Sequence, residues 1–315
     1  METSFRTALL TSVAPIAWGS TYYVTATFLP PDRPLFGAAL RALPVGLVLL
    51  LYGRRLPRGP WWWKALVLGT LNIGAFFALV YVAALRLPGG LASTLTAISP
   101  IAMMLMAWPI VRERPRPASL AGALAGLVGV ALLVLRSGFR VDGLGVAASL
   151  GAVAMASLGF VLVKRWKPPV ELLTFTAWQL VAGGVVLLPV ALVVEGAPPA
   201  LDARAVEGFL YLCVISTGLA YAVWFNGLRH LEAGTVALIG LLNPVVGTLL
   251  GVAVAREAFG LVQLVGMLLV FAGIAAGQPA VHHLFPSRLG RLRRQTPAAG
   301  TGQGPVERTQ SRCPA

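Results

Sequence analysis

Long apolar runs of about twenty residues alternate along the chain with short polar breaks. A membrane-crossing helix needs about 20 mainly apolar residues, with a range of roughly 17–25. On that measure the sequence predicts ten spans, at about 8–28, 34–52, 62–83, 90–111, 118–136, 143–163, 170–194, 206–228, 234–254 and 260–278. Strands of a membrane barrel would be about 10 residues long and strictly alternating. These runs are twice as long and continuously apolar, so the expected class is an all-α membrane protein. The breaks are rich in Pro, Gly and Arg, as in Pro30-Pro31-Asp32-Arg33, Arg54-Arg55-Leu56-Pro57-Arg58 and Arg112-Glu113-Arg114-Pro115-Arg116-Pro117. The connection at 195–205 is the longest. Residues 8–18 imitate the core of a signal peptide, but the apolar pattern continues past Trp18 and no clean small-x-small site follows, so cleavage is not expected.

Composition points the same way. Of 315 residues, 57% are hydrophobic and 11% charged, against about a quarter charged in a typical globular chain. The mean hydropathy is +0.80. In a soluble chain a net charge of +14 would suggest nucleic acid. Here the basic residues lie at span ends and in the tail, where they set topology and meet anionic headgroups. No nucleic-acid partner is expected. With both termini in the cytoplasm, 18 Arg and Lys fall inside and 6 outside, or 12 and 6 without the tail; the positive-inside rule favours that orientation. The two cysteines, Cys213 and Cys313, and the three histidines, His230, His282 and His283, have neither disulfide nor zinc spacing. No metal or cofactor is expected.

Sliding the chain on itself by 144 positions lays Ser99-Pro100 over Asn243-Pro244 and Arg112-Glu113 over Arg256-Glu257. Gly122 and Gly129 then meet Gly266 and Gly273. Each copy holds five predicted spans. Five is odd, so the second copy enters the bilayer upside down. Folds of this kind place a substrate site near the midplane, between the halves. The expected organisation is a first repeat over 1–140, a second, inverted repeat over 141–279, and a basic, disordered cytoplasmic tail over 280–315.

Several of these motifs occur in order in both halves. Trp18-Gly19-Ser20-Thr21, Leu40-Arg41, Ser99-Pro100 with Arg112-Glu113, and Asn243-Pro244 with Arg256-Glu257 and Gly266 resemble the EamA repeat of the drug/metabolite transporter superfamily. The resemblance covers about 8–278. The stretches around Phe28-Leu29-Pro30-Pro31 and from Trp61-Trp62-Trp63 through Leu87-Pro88-Gly89-Gly90 look like the branch of blue-pigment (indigoidine) exporters. The resemblance implies ten helices in two EamA domains, the bacterial inner membrane, and export of a small metabolite. It does not fix the substrate.

Arg41 is the sharpest single residue. It lies about 12 Å into span 2 at 1.5 Å per residue, where a charge costs roughly 2.5–3.5 kcal/mol on insertion scales. It either anchors an anionic or carbonyl group of the substrate or bonds to backbone carbonyls of a neighbouring helix. No Asp or Glu lies in the middle of a span, which argues against a permanently cationic substrate. Glu113 and Glu257 are expected to pair with nearby arginines and fix helix ends. Trp61-Trp62-Trp63 reads as an interfacial aromatic belt.

Neutral polar and aromatic residues cluster in particular spans. The expected pathway set is Trp18, Ser20, Thr21, Tyr22, Arg41, Asn72, Tyr81, Ser99, Trp178, Gln179, Tyr221, Trp224, Asn226 and Asn243. For the amides, helix-to-helix hydrogen bonds are the competing role. Pro100 and Pro244 are expected to kink their helices as a matched pair of hinges. Spans 5 and 10, almost purely apolar with small residues such as Gly122 and Gly126, read as peripheral packing helices.

The sequence thus reads as a carrier that exports a small, relatively apolar metabolite, pigment or amino-acid derivative by alternating access. It is not expected to be an enzyme: Asp32, Asp142 and Asp202 are isolated and give no metal or phosphate chemistry. There is no G-x-x-x-x-G-K-[ST] motif for direct ATP use. An importer or exchanger is the main competing reading, and a membrane sensor or scaffold a distant one. The expected partners are a small-molecule substrate and the lipid bilayer; the oligomeric state is left open.

Overall fold

The computed structural model describes residues 2–30, 33–87, 89–134, 142–255 and 260–278. The expectations for Glu257, Cys313, His282, His283 and the basic tail lie outside them. Among the described residues the regular elements are helices: α1 Glu2–Phe28, α2 Pro34–Gly53, α3 Trp61–Arg86, α4 Leu91–Val111, α5 Pro117–Val134, α6 Gly143–Trp166, α7 Leu172–Glu195, α8 Ala203–His230, α9 Ala233–Val254 and α10 Leu261–Ala276. Eight of them, α2 to α9, are long and apolar enough to cross a membrane. The expected ten spans therefore stand at eight on length and apolarity. α1 is 27 residues long but carries Glu2, Arg6 and many hydroxyl side chains, and α10 is apolar but has only 16 residues.

The packing interleaves the two halves of the chain. α2 lies along α7 and α5 along α10. α1 packs on α8 and α9, while α6 packs on α3 and α4. Exchanging the first five helices for the second five maps the α2–α7 and α5–α10 contacts onto themselves and the contacts of α1 onto those of α6, so the arrangement is two-fold. α1 and α6 have each crossed into the opposite half.

Glycine sets the closest approach. A β-carbon on Gly122 would stand 2.5 Å from the Gly273 carbonyl oxygen, and one on Gly129 would stand 2.6 Å from that of Gly266. The glycines matched by the repeat thus meet crosswise where α5 and α10 touch. Small residues permit such backbone contact, and it is the usual source of helix association in lipid, where apolar side chains gain nothing by leaving an apolar solvent. Leu124, Val128, Leu264 and Leu268 remain exposed on the outer faces of the same two helices.

Neither proline kinks a continuous helix. α4 is interrupted by a turn at Ala97–Ile98 and resumes as Ser99–Val111; α9 is interrupted at Gly240–Leu241 and resumes as Leu242–Ala255. Pro100 and Pro244 stand in the first turn after each break. A helix tolerates proline there because that backbone position needs no N–H donor.

Carboxylates cap the helix ends across the halves. Glu195 accepts hydrogen bonds from the Leu35 and Phe36 N–H groups at 2.7 and 2.8 Å, closing the start of α2. Glu113 accepts from Ala233 N–H at 2.8 Å at the start of α9. The charged partner of Glu113 is Lys164, not an arginine, because the end of α6 is brought beside it. Arg116 pairs with Glu232 instead. The tryptophan triplet is divided: Trp62 and Trp63 are exposed, while Trp61 turns inward onto Phe175 and Trp178.

Gly129→Leu should separate α5 from α10. Overpacking of this kind costs about 1–3 kcal/mol, and thermal unfolding of the purified protein in detergent should record a lower Tm. Gly143→Ala, where a new β-carbon meets nothing within 4 Å, should leave the Tm unchanged.

Candidate functional site

α3 and α8 each contain a π segment, with more residues per turn than an α-helix, Thr70–Gly74 and Val214–Leu219. The two begin 144 positions apart, the same spacing as the sequence repeat. A π-bulge breaks the regular i→i−4 ladder, and bulges of this kind are frequent at functional sites. Backbone carbonyls on both bulges accept bonds from side chains of other segments. The Asn72 carbonyl accepts from the Tyr221 hydroxyl at 3.1 Å. The Ser216 carbonyl, 144 residues later, accepts from Trp18 Nε1 at 3.0 Å and from Arg41 Nη2 at 3.1 Å.

Each bulge is also met by one polar side chain from a central helix of the opposite half. Arg41 lies seven residues after the first residue of α2, and Gln179 lies seven after the first residue of α7. Arg41 Nε donates to Thr217 Oγ1 on the second bulge at 2.9 Å. On the first bulge, Asn72 Nδ2 donates to Gln179 Oε1 at 2.8 Å. The two crossings are mates under the two-fold, with a guanidinium in one place and an amide in the other. Arg41 is only 8% exposed, and its guanidinium also stands over the Phe77 ring, 5.0 Å from the centroid. A hydroxyl, a backbone carbonyl and a ring thus help to hold the cation, and the carbonyl bond to a neighbouring helix is the second of the two roles expected for it.

Aromatic rings pack on one another beside the bulges. Trp18 meets Tyr221 at 5.3 Å and Trp224 at 5.1 Å between ring centroids, and Phe160 lies 5.6 Å from Trp224. Of the expected pathway residues, Trp18, Arg41, Asn72, Gln179, Tyr221 and Trp224 are therefore gathered in one contact network. Ser20 is tied to the Tyr211 hydroxyl at 2.7 Å, and Thr21 bonds back to the Ala17 carbonyl of its own helix at 3.3 Å. The side chain of Tyr22 lies outside the described residues.

The others make their described contacts elsewhere, although Trp178 shares the core cluster of Tyr221 and Trp224. Tyr81 packs against the core cluster that contains Leu35, Phe36 and Leu187. The Ser99 hydroxyl donates to the Thr96 carbonyl across the α4 break. Trp178 donates to the Arg55 carbonyl at 2.7 Å, at the α2–α3 connection. The Asn226 carbonyl lies 2.8 Å from His230 Nδ1. Asn243 places its carbonyl where a β-carbon on Gly19 would be 2.7 Å away, so it marks a close crossing of α1 and α9. Ser216, Thr217, Phe77 and Phe160 belong to the network without having been expected there. The repeat itself points to Ser216, which falls opposite Asn72 at the 144-residue offset.

The sequence profile of the EamA-like transporter family matches residues 5–135 and 143–276. The chain belongs to the EamA-like transporter family. It is 39% identical over 264 residues to Protein PecM of Dickeya dadantii, covering 83% of this chain and 88% of that protein. It is 27% identical over 285 residues to a probable amino-acid metabolite efflux pump of Salmonella typhimurium, covering 86% and 94%. A solved crystal structure superposes with a TM-score of 0.77 at 20% identity, covering 89% of this chain and 99% of its own, and so shares the fold. This EamA protein is thus a multi-pass membrane transporter of two-repeat, all-α architecture.

Thr217→Val removes the oxygen that receives Arg41 Nε. Hydrogen bonds to charged groups contribute about 1.5–3 kcal/mol, so denaturant unfolding in detergent should place the variant lower in stability by about that amount. Thr217→Ser, which keeps the oxygen, should recover most of the loss.

Proposed function

We propose that this transporter is a ten-span carrier in the bacterial inner membrane, with both termini in the cytoplasm. It exports a small, relatively apolar metabolite, pigment or amino-acid derivative by alternating access. The observation that carries the reading is the matched pair of bulges, each met by one polar side chain from the opposite half. Inverted repeats that meet around such a point provide two equivalent half-sites, and rocking one half against the other exposes the space between them to either face. Pro100 and Pro244 follow helix breaks at matched places, which suits a pair of flexing points. Trp18, Tyr221, Trp224 and Phe160 offer ring surface, Arg41 offers one cation, and Asn72 and Gln179 offer amides. That set favours a flat neutral or zwitterionic cargo over a sugar phosphate, which would need several cations, and over a permanent cation, which would need a carboxylate. The similarity to a probable amino-acid metabolite efflux pump supports the outward direction.

Radiolabelled counterflow in proteoliposomes tests the reading, using hydrophobic amino acids, flat aromatic amides and anionic metabolites, with and without a pH gradient. Wild-type protein should exchange one class saturably. Arg41→Ala should lower that exchange about tenfold or more while the protein remains folded by circular dichroism. A folded wild type that exchanges none of the panel would overturn the reading. A fluorescent-protein fusion at the C-terminus should be bright in intact cells, as a cytoplasmic terminus requires; a dark fusion at normal expression would reverse the orientation.

A further inference from the structure

In lipid a polar group without a partner has no water to turn to, and most buried side-chain polar atoms in proteins do find one. Among the described residues, Asn72 Oδ1, Ser149 Oγ, Gln179 Nε2 and Trp224 Nε1 are buried without a hydrogen-bond partner. Three of these four belong to a single chain of contacts. Gln179 meets Asn72, the Asn72 carbonyl receives the Tyr221 hydroxyl, and Tyr221 and Trp224 both face Trp18. Gln179 is 0% exposed and Trp224 3%.

The three atoms are not equivalent. Asn72 Oδ1 is pressed onto Gly159, where a β-carbon would collide with it, so α6 already covers that atom. Whichever way the Asn72–Gln179 amide pair is turned, one polar atom of Gln179 stays unpaired. An indole N–H is a donor only, so Trp224 sets the demand unambiguously: what satisfies it must be an acceptor. Its ring is flanked by Trp18 and Phe160, each tilted at 58° to it. A β-carbon on Gly240, at the break in α9, would stand 3.3 Å from the far edge of the same ring.

We propose that Trp224 Nε1 is a cargo-recognition donor. It takes a carbonyl-type oxygen of a small ring compound whose ring lies against Trp18 and Phe160, with the free end of the Gln179 amide as the second polar contact. The proposal rests on the carrier reading and adds to it the atom that reads the cargo and the group it reads. A hydrocarbon ring of the same size would fill the aromatic walls and leave the donor unpaired, so the seat discriminates by the oxygen.

The test uses full-length protein in lipid nanodiscs, labelled with 5-fluorotryptophan. The Trp224 fluorine resonance is assigned by its disappearance in Trp224→Phe, or in Trp224→Tyr if the phenylalanine variant does not fold. The probes are phenylacetamide and ethylbenzene, which share a ring and differ in the carbonyl. The expected result is that phenylacetamide shifts the Trp224 resonance and binds about tenfold or more tightly than ethylbenzene, as one buried hydrogen bond implies, and that the folded variant loses this preference. An unmoved resonance, equal affinities for the two probes, or a variant that keeps the preference would each overturn the proposal. Counterflow on the same preparations separates the two levels. Exchange whose selectivity is untouched by Trp224→Phe keeps the carrier and removes this seat. A shifted resonance and lost preference without exchange of any compound keep the seat and remove the carrier.

Discussion

The structure turns on the requirement that backbone polar groups find partners inside the protein when lipid surrounds it. A regular helix meets that requirement by itself. A π-bulge does not, and this chain places one in each half, at Thr70–Gly74 and Val214–Leu219. The carbonyls of Asn72 and Ser216 draw in Tyr221, Trp18 and Arg41. The polar network is thereby concentrated where the backbone has departed from its default, and the aromatic residues follow as the apolar bodies that carry those donors inward.

Bringing two such bulges together requires helices that approach closely without losing their hydrogen bonds. Glycine supplies the approach, crosswise between α5 and α10, and again where α3 meets α7: a β-carbon on Gly69 would stand 2.7 Å from Gly183 N. The interleaving of α1 supplies the rest: Trp18 reaches Tyr221 and Trp224 in the opposite half, where Phe160 of α6 packs on Trp224 as well. Glu113 and Glu195 then hold helix starts across the halves. Their carboxylates stand at helix N-termini, where the backbone dipole favours negative charge.

Much of this is legible in the sequence because it depends on long, redundant signals. Twenty apolar residues in a row announce a helix however its side chains pack, and a repeat of Pro, Gly and Arg-Glu at one offset announces a two-fold. Arg41, Asn72 and Gln179 stand out because polar groups are rare in apolar runs. The bulges leave no comparable mark: Asn72 stands out as a polar residue, but nothing in the composition of Thr70–Gly74 announces a π turn. For that reason Ser216 and Thr217, two small hydroxyl residues, did not separate from ordinary span-lining residues. Ser99 was misleading in the opposite way, since a hydroxyl in a span can be used up by its own helix at the cost of no partner elsewhere. The role of Glu113 was right in kind and wrong in partner, because only the tertiary fold brings Lys164 to it.

The mates Arg41 and Gln179 occupy corresponding places on α2 and α7, yet only one is charged. In the alternating carrier proposed above, fully identical halves would make the two facing states rotational mates of one another. A guanidinium in one place and an amide in the other make the halves unequal at this point. Any rearrangement that carries Arg41 along the membrane normal moves a whole positive charge through the transmembrane field, which does about 2.3 kcal/mol of work per charge per 100 mV over the full thickness. If the two halves rock as proposed, the membrane potential is a force that would act directly on the balance between inward- and outward-facing arrangements.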